Sequence, residues 1–228
     1  MVSSLNRMLG RDLWNHLGVI LAIGGVLAVG LGCFVGMQNA HRTLLQARDD
    51  FYARCRMADF WIRVEKASNA EVQRAALTPG VGELQGRISL PVLVDLQNAA
   101  ANVNAILVSA PDERERTLND LIVMRGGYFS DPSRNEAIVS DKFAQAHRLT
   151  PGSELTLTVN RRRERFTVVG TAVSSEFAFL VGPGSLLPDP SAYGAIYVRK
   201  SLAERLTTWR ERRTRSSAPS CEARTAKG

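Results

Sequence analysis

Leu17 to Met37 read LGVILAIGGVLAVGLGCFVGM, a run without a charge, and this stretch decides how the rest of the chain is organised. As a helix rising about 1.5 Å per residue it reaches roughly 32 Å, the thickness of a bilayer's hydrocarbon core. Arg7 and Arg11 precede it as the basic end of a signal peptide would. The run is longer than the roughly 7–15 apolar residues of such a peptide, and no A-x-A cleavage site follows, so it reads as an uncleaved anchor.

Within the run, Gly24, Ala28, Gly32, Gly36 and Ala40 recur every fourth residue and put small side chains along one helix face. Helices approach one another closely on such a face, which makes these five positions candidates for packing against further membrane helices. Beyond the run, Leu44, Ala47, Phe51, Cys55 and Ala58 keep helical spacing and predict an amphipathic stalk from Gln38 to about Met57.

The remainder reads as a single α+β domain. Asp59 to Glu65 alternates as a half-buried strand, and Ser68 caps a short helix over Asn69 to Leu77 that stops at Pro79-Gly80. Val81 to Leu96 predicts a second strand, with Pro91 as the one place where it could break. Val103 to Val108, Leu121 to Met124 and Glu136 to Val139 predict further strands, and Ser140 caps a helix over Asp141 to His147. Leu155, Leu157 and Val159 alternate with threonines, the basic run Arg161 to Arg163 turns, and Phe166 to Val173 returns as a hairpin. Ala195 to Val198 and a helix from Ser201 close the domain. From Thr208 onward no large aliphatic residue occurs, so residues 207–228 read as a disordered basic tail.

That tail matters for the charge. The chain has 228 residues and a net charge of +7, yet Arg210, Arg212, Arg213, Arg215, Arg224 and Lys227 outweigh Glu211 and Glu222 at its end, leaving the domain without a basic stripe. Nucleic-acid binding is therefore not indicated. The three cysteines, Cys33, Cys55 and Cys221, form no CxxC and have no histidine at metal spacing. There is no phosphate-binding G-x-x-x-x-G-K-[ST] loop and no G-x-S-x-G elbow, and His16, His41 and His147 stand apart from one another. Asp112, Glu113 and Glu115 belong to a charged loop and read as solvated groups rather than paired catalysts. Neither catalytic nor cofactor- or metal-binding residues emerge. One loop stands out: Glu176 to Asp189, EFAFLVGPGSLLPD, carries apolar residues without alternation. It either folds back on the core, the favoured reading, or presents Phe177, Phe179 and Leu180 as a partner contact.

Five segments in this order resemble the amino-terminal part of FtsX/MacB-type ABC-transporter permeases. They are LNRMLGRDLW (Leu5 to Trp14), GRISLPVLVDL (Gly86 to Leu96), LNDLIVMRGGYF (Leu118 to Phe129), NEAIVSDKFAQAHRLTPGSELTLTVN (Asn135 to Asn160) and EFAFLVGPGSLLPD. The resemblance covers about Leu5 to Leu206. It implies a cytoplasmic tail over 1–16, a membrane span over 17–37, and a stalk with a mixed α/β MacB-like periplasmic core domain over 38–206. A separate cytoplasmic ATPase and further permease helices are implied as partners, with export or lipid and lipoprotein handling as the task and no catalysis by this chain. Because family members carry more membrane helices after the domain, the sequence reads as a truncated permease. Arg42, Arg48, Arg54 and Arg56 outnumber Arg7 and Arg11, so a positive-inside count alone favours a cytoplasmic domain. The resemblance implies the periplasm and an inner-membrane anchor, and a large translocated domain is weakly governed by that rule. The alternative is a single-span envelope sensor or adaptor whose domain binds a ligand or protein partner.

Overall fold

The computed structural model describes residues 14, 16–64, 67–96, 103–211 and 219–225, with 208–211 and 219–225 described by their backbone alone. The expected tail over 1–16 and the last residue of the expected Asp59 to Glu65 strand lie almost wholly or wholly outside these residues. The chain divides into two compact units, Met1–Asp50 and Phe51–Gly228.

The first unit is the greater part of α1 (Leu17–Arg54), which has no buried residue. Among the described residues it is the one helix long and apolar enough to cross a membrane. The span and the stalk are thus a single uninterrupted helix, as expected for a run with no proline.

The second unit begins with β1 (Phe60–Arg63), α2 (Asn69–Ala76), β2 (Val81–Asp95) and β3 (Val103–Ala110). It continues through β4 (Ile122–Gly126), β5 (Glu136–Ser140), α3 (Asp141–Ala146), β6 (Glu154–Val159) and β7 (Arg162–Val173). It ends in β8 (Tyr193–Arg199), α4 (Lys200–Glu211) and β9 (Pro219–Thr225). Fold class is α+β, as expected.

Strand pairing closes a ring. β2 pairs β3, β3 pairs β8, β8 pairs β5, β5 pairs β7, β7 pairs β6, and β6 returns to β2 through Leu93, Val94 and Asp95. Alternate residues point inward: Leu90, Val92 and Val94 of β2, Leu155, Leu157 and Val159 of β6, Phe166 and Val168 of β7, and Ile196 and Val198 of β8 share one core with Phe143 of α3 and Leu202 of α4. A small barrel of this kind is filled by its own side chains rather than hollow. A second core, holding Val108, Ile138, Ala172, Ala195 and Tyr197, covers the outer face of β3, β5, β7 and β8. Strands buried on both faces need apolar residues at both parities. For this reason β3, β5 and β8 read as continuous apolar runs while β6 alternates.

Several expectations are decided by the structure. The strand is not broken at Pro91: β2 runs through it, because Pro91 lies between the β9 ladder, which ends at Ile88, and the β6 ladder, which begins at Leu93. A missing N–H costs nothing where no strand waits on that side. The hairpin turns at Asn160-Arg161 alone, both at positive φ (50° and 65°), so Arg162 and Arg163 belong to β7. Two left-handed residues between paired strands are the turn whose twist matches a hairpin. The described part of the tail beyond Thr207 departs from the expected disorder: α4 runs to Glu211, and β9 pairs β1 on one side and the first half of β2 on the other, while residues 212–218 and 226–228 lie outside the described residues. Backbone ladders on both sides satisfy that strand's N–H and C=O groups, and hydropathy does not register this source of order. Ser68 caps α2 as expected, in a full capping box with Glu71. Ser140 does not cap α3 through its side chain; its hydroxyl accepts the N–H of Ala195 at 3.2 Å instead.

Two close approaches fix where elements cross. A Cβ on Gly170 would lie 2.4 Å from the Gly127 carbonyl oxygen, and one on Gly194 would lie 2.3 Å from the Phe143 ring. β4 and α3 therefore rest directly on backbone.

A buried ion pair spans the β5–β8 ladder: Arg199 Nη2 donates to Glu136 Oε2 at 2.7 Å, with side-chain exposures of 8% and 4%. Glu136 also accepts from the Ser130 N–H and hydroxyl and from the Asp131 N–H, and Arg199 donates to the Asp112 carbonyl at 3.1 Å. Asp112 itself accepts the Ser201 N–H at 3.0 Å, closing the first turn of α4. This expected solvated loop carboxylate is a remote helix cap. Burial pushes the Glu136 pKa up, but Arg199 and the Ser130 and Asp131 donors outweigh it and hold the carboxyl below its ordinary 4.5. A carboxylate whose folded pKa is depressed lends stability above the unfolded pKa and loses it as pH falls through the folded one. Glu136→Gln is expected to cost about 3–5 kcal/mol at neutral pH by stranding the Arg199 charge. It should also flatten the decline in stability below pH about 4.5, as read by thermal unfolding of the domain across pH.

Candidate functional site

The end of α1 is where the sequence-predicted stalk meets the domain, and the residues from Phe51 onward belong to the second unit. Its geometry is specific. Arg56 takes the left-handed conformation at φ 49°, its N–H donates to the Ala53 carbonyl at 3.2 Å, and the Met57 N–H donates to the Tyr52 carbonyl at 3.0 Å. These two bonds are the Schellman termination, here with arginine where glycine is usual. A non-glycine residue accepts that conformation when other contacts hold it.

Those contacts are present. The Arg56 guanidinium bonds the Glu83 carboxylate of β2 and donates to the Arg116 carbonyl, the latter at 2.8 Å. The Asn119 N–H donates to the Arg56 carbonyl at 3.0 Å and the Asp120 N–H to the Cys55 carbonyl at 2.8 Å. Asn119 is also left-handed, at φ 51°, and its Oδ1 accepts the Ala58 N–H at 3.0 Å. Carbonyls and N–H groups that a helix end leaves open are thus taken up by the loop before β4. Cys55, fully buried, and Ala58, 3% exposed, pack beneath. Burial pushes the Cys55 thiol up, and the Asp120 carboxylate adds to this, so the thiol stays protonated as a small apolar side chain. Asp120 is itself held by Arg114, which sits 5.5 Å over the Tyr128 ring, and Tyr128 donates to the Pro111 carbonyl at 2.8 Å. Burial pushes the Tyr128 pKa to about 12, so the phenol remains a donor.

The other sequence-predicted positions fall elsewhere. Gly24, Ala28, Gly32, Gly36 and Ala40 lie exposed on α1, and the three glycines have open space around them. Each four-residue step advances about 40° at 3.6 residues per turn, so the five positions wind part-way round the helix rather than forming a straight line. In the Glu176 to Asp189 loop, Phe177 and Leu180 pack against the second core, whereas Phe179 is 82% and Leu186 97% exposed. The loop is therefore divided between the two readings: its base folds back and its tip is an exposed apolar surface. Its first residue, Glu176, is pinned by Arg87 at 2.9 Å. His147 ends α3 as expected, with its ring against Phe143 and Nε2 within 3.0 Å of the Ser191 carbonyl oxygen. Cys33 and Cys55 are free thiols.

Sequence reasoning did not single out Asn119. Its tolerance of left-handed backbone is a known preference of asparagine, but a lone asparagine before an aspartate carries no signal of the helix end it serves. Asn119→Ala is expected to cost about 1–3 kcal/mol, because it leaves the buried Ala58 N–H without an acceptor. Thermal unfolding of the full chain in detergent micelles reads the loss.

In comparisons with known proteins, the model of the MacB-like periplasmic core domain matches residues 15–226. The match runs past Leu206, where the resemblance read from the sequence ended. Among solved structures, the chain is similar to the extracellular domain of the noncanonic ABC-type transporter YknZ from Gram-positive bacteria. That similarity has 13% identity and a TM-score of 0.41 and covers 74% of this chain and 85% of that one. It is also similar to the periplasmic region of MacB from Actinobacillus actinomycetemcomitans, at 11% identity and a TM-score of 0.43, over 72% of this chain and 68% of that one. No curated protein matches.

Proposed function

The chain belongs to the MacB-like periplasmic core domain family, and on that premise we propose that it works as a permease component of an ABC-type transporter at the inner membrane. In this reading residues 17–37 are the span, the rest of α1 is a stalk, and the domain faces the periplasm. A separate cytoplasmic ATPase supplies the energy, and the task is export or the handling of lipid or lipoprotein. The observation that carries the reading is the family match over residues 15–226. The apolar, unburied α1 supports it.

The role of this chain is then mechanical. A displacement of α1 produced by the ATPase reaches the domain through residues 55–58, where hydrogen bonds from Asn119 and Asp120 and the Arg56–Glu83 pair tie the helix end to the loop and to β2. These bonds hold residues 55–58 firmly to the domain's own strands and loops. The small positions Gly24 to Ala40 are the surface for further permease helices, and the tip of the Glu176 to Asp189 loop around Phe179 is a contact for a partner.

Cysteine labelling tests the placement. Ser133→Cys, on an exposed loop residue, is expected to react with a membrane-impermeant maleimide in intact cells above the background of the parent chain. Labelling only after the cells are lysed would place the domain in the cytoplasm and overturn the reading.

A further inference from the structure

A small cavity lies beside the helix junction, between β2, β3 and the loop before β4. Gln85, Ser109, Asn119 and Tyr128 are among its lining residues, and it leaves about 10 Å³ for the centre of a water-sized sphere. That is about the room one water molecule needs.

The chemistry of the lining is as specific as its size. Asn119 is 2% exposed, and its Oδ1 is committed as acceptor to the Ala58 N–H, which fixes which end of the amide is which. Its Nδ2 is therefore a donor, and it is buried without a partner among the described residues. Gln85 Oε1, an acceptor on β2, is buried in the same condition. Ser109 is 3% exposed, and its hydroxyl accepts the Ile88 N–H at 2.8 Å, which leaves its proton to donate. The Asn119 donor, the Gln85 acceptor and the Ser109 hydroxyl thus share the lining with other polar side chains, Arg87, Asp120 and Tyr197 among them. Buried polar atoms left unpaired are costly, and waters that satisfy them typically make about three hydrogen bonds.

We propose that this cavity binds a single structural water, which accepts from Asn119 Nδ2 and the Ser109 hydroxyl and donates to Gln85 Oε1. The site joins β2 and β3 to the loop residue that holds the end of α1. The water is thus a third fastening of the junction, alongside the Arg56–Glu83 pair and the Asn119 and Asp120 N–H bonds. It does not depend on the proposed transport function.

The test is water-to-amide cross-relaxation by NMR on the full chain in detergent micelles. The expected result is a cross-peak, with the sign of a long-lived buried water, between water and the Asn119 side-chain amide protons. Gln85→Met, which keeps length while removing the acceptor, is expected to abolish it. Absence of the cross-peak in the parent chain overturns the proposal on its own, whatever the variant does. An unchanged cross-peak in Gln85→Met overturns the assignment of Gln85 as its partner. Should Gln85→Met fail to fold, Gln85→Leu serves instead: it also removes the acceptor, the cross-peak is expected to vanish, and an unchanged cross-peak overturns the assignment of Gln85 in the same way.

Discussion

The return of β6 to the last residues of β2 is the constraint on which the rest of the domain depends. Leu93, Val94 and Asp95 pair with Thr158, Leu157 and Thr156, and without that ladder the six strands would be an open sheet with two edges. Closure makes one face an interior, and the alternating residues of β2, β6 and β7 then have a definite place to point. It also explains why β2 is long. Its first half, from Val81 to Ile88, serves β9, and its last residues serve β6, so a single strand belongs to two sheets. Arg163 bonds Asp95 at the seam, binding the hairpin to the strand it closes upon.

The helix junction builds on the same strand. Glu83, which pairs with Arg56, and Gln85, which lines the neighbouring cavity, are both on the first half of β2. A strand anchored at its far end in a closed barrel is a stiff support, so the end of α1 is fastened to something that resists deformation. This gives a physical basis to the proposal that the chain transmits displacement. The buried Glu136–Arg199 pair acts at another place, linking β5, β8 and the start of α4 through Asp112.

Much of this was legible in the sequence wherever one face of an element meets one environment. The uncharged run of α1, the Ser68 cap and the alternation of Leu155, Leu157 and Val159 each report a local rule obeyed locally. Legibility failed where the deciding partner was distant. Pro91 reads as a place where the strand could break until the gap between two ladders is seen, and residues 219–225 read as disordered because backbone pairing leaves no hydrophobic signature. Asn119 reads as an ordinary loop residue because its function is set by a helix end sixty residues earlier. The Glu176 to Asp189 loop was ambiguous for a different reason: its base and its tip do different things, and composition averages over both.

Amide hydrogen exchange on the full chain reconstituted in nanodiscs tests the central claim most directly, since it reports which hydrogen bonds open together. If the end of α1 is part of the domain's cooperative unit, the amides of Met57, Asn119 and Asp120 will exchange as slowly as those of Leu155 and Leu157 in the barrel. Fast exchange at Met57, Asn119 and Asp120 beside a protected barrel would show a junction that opens on its own, and would contradict the account.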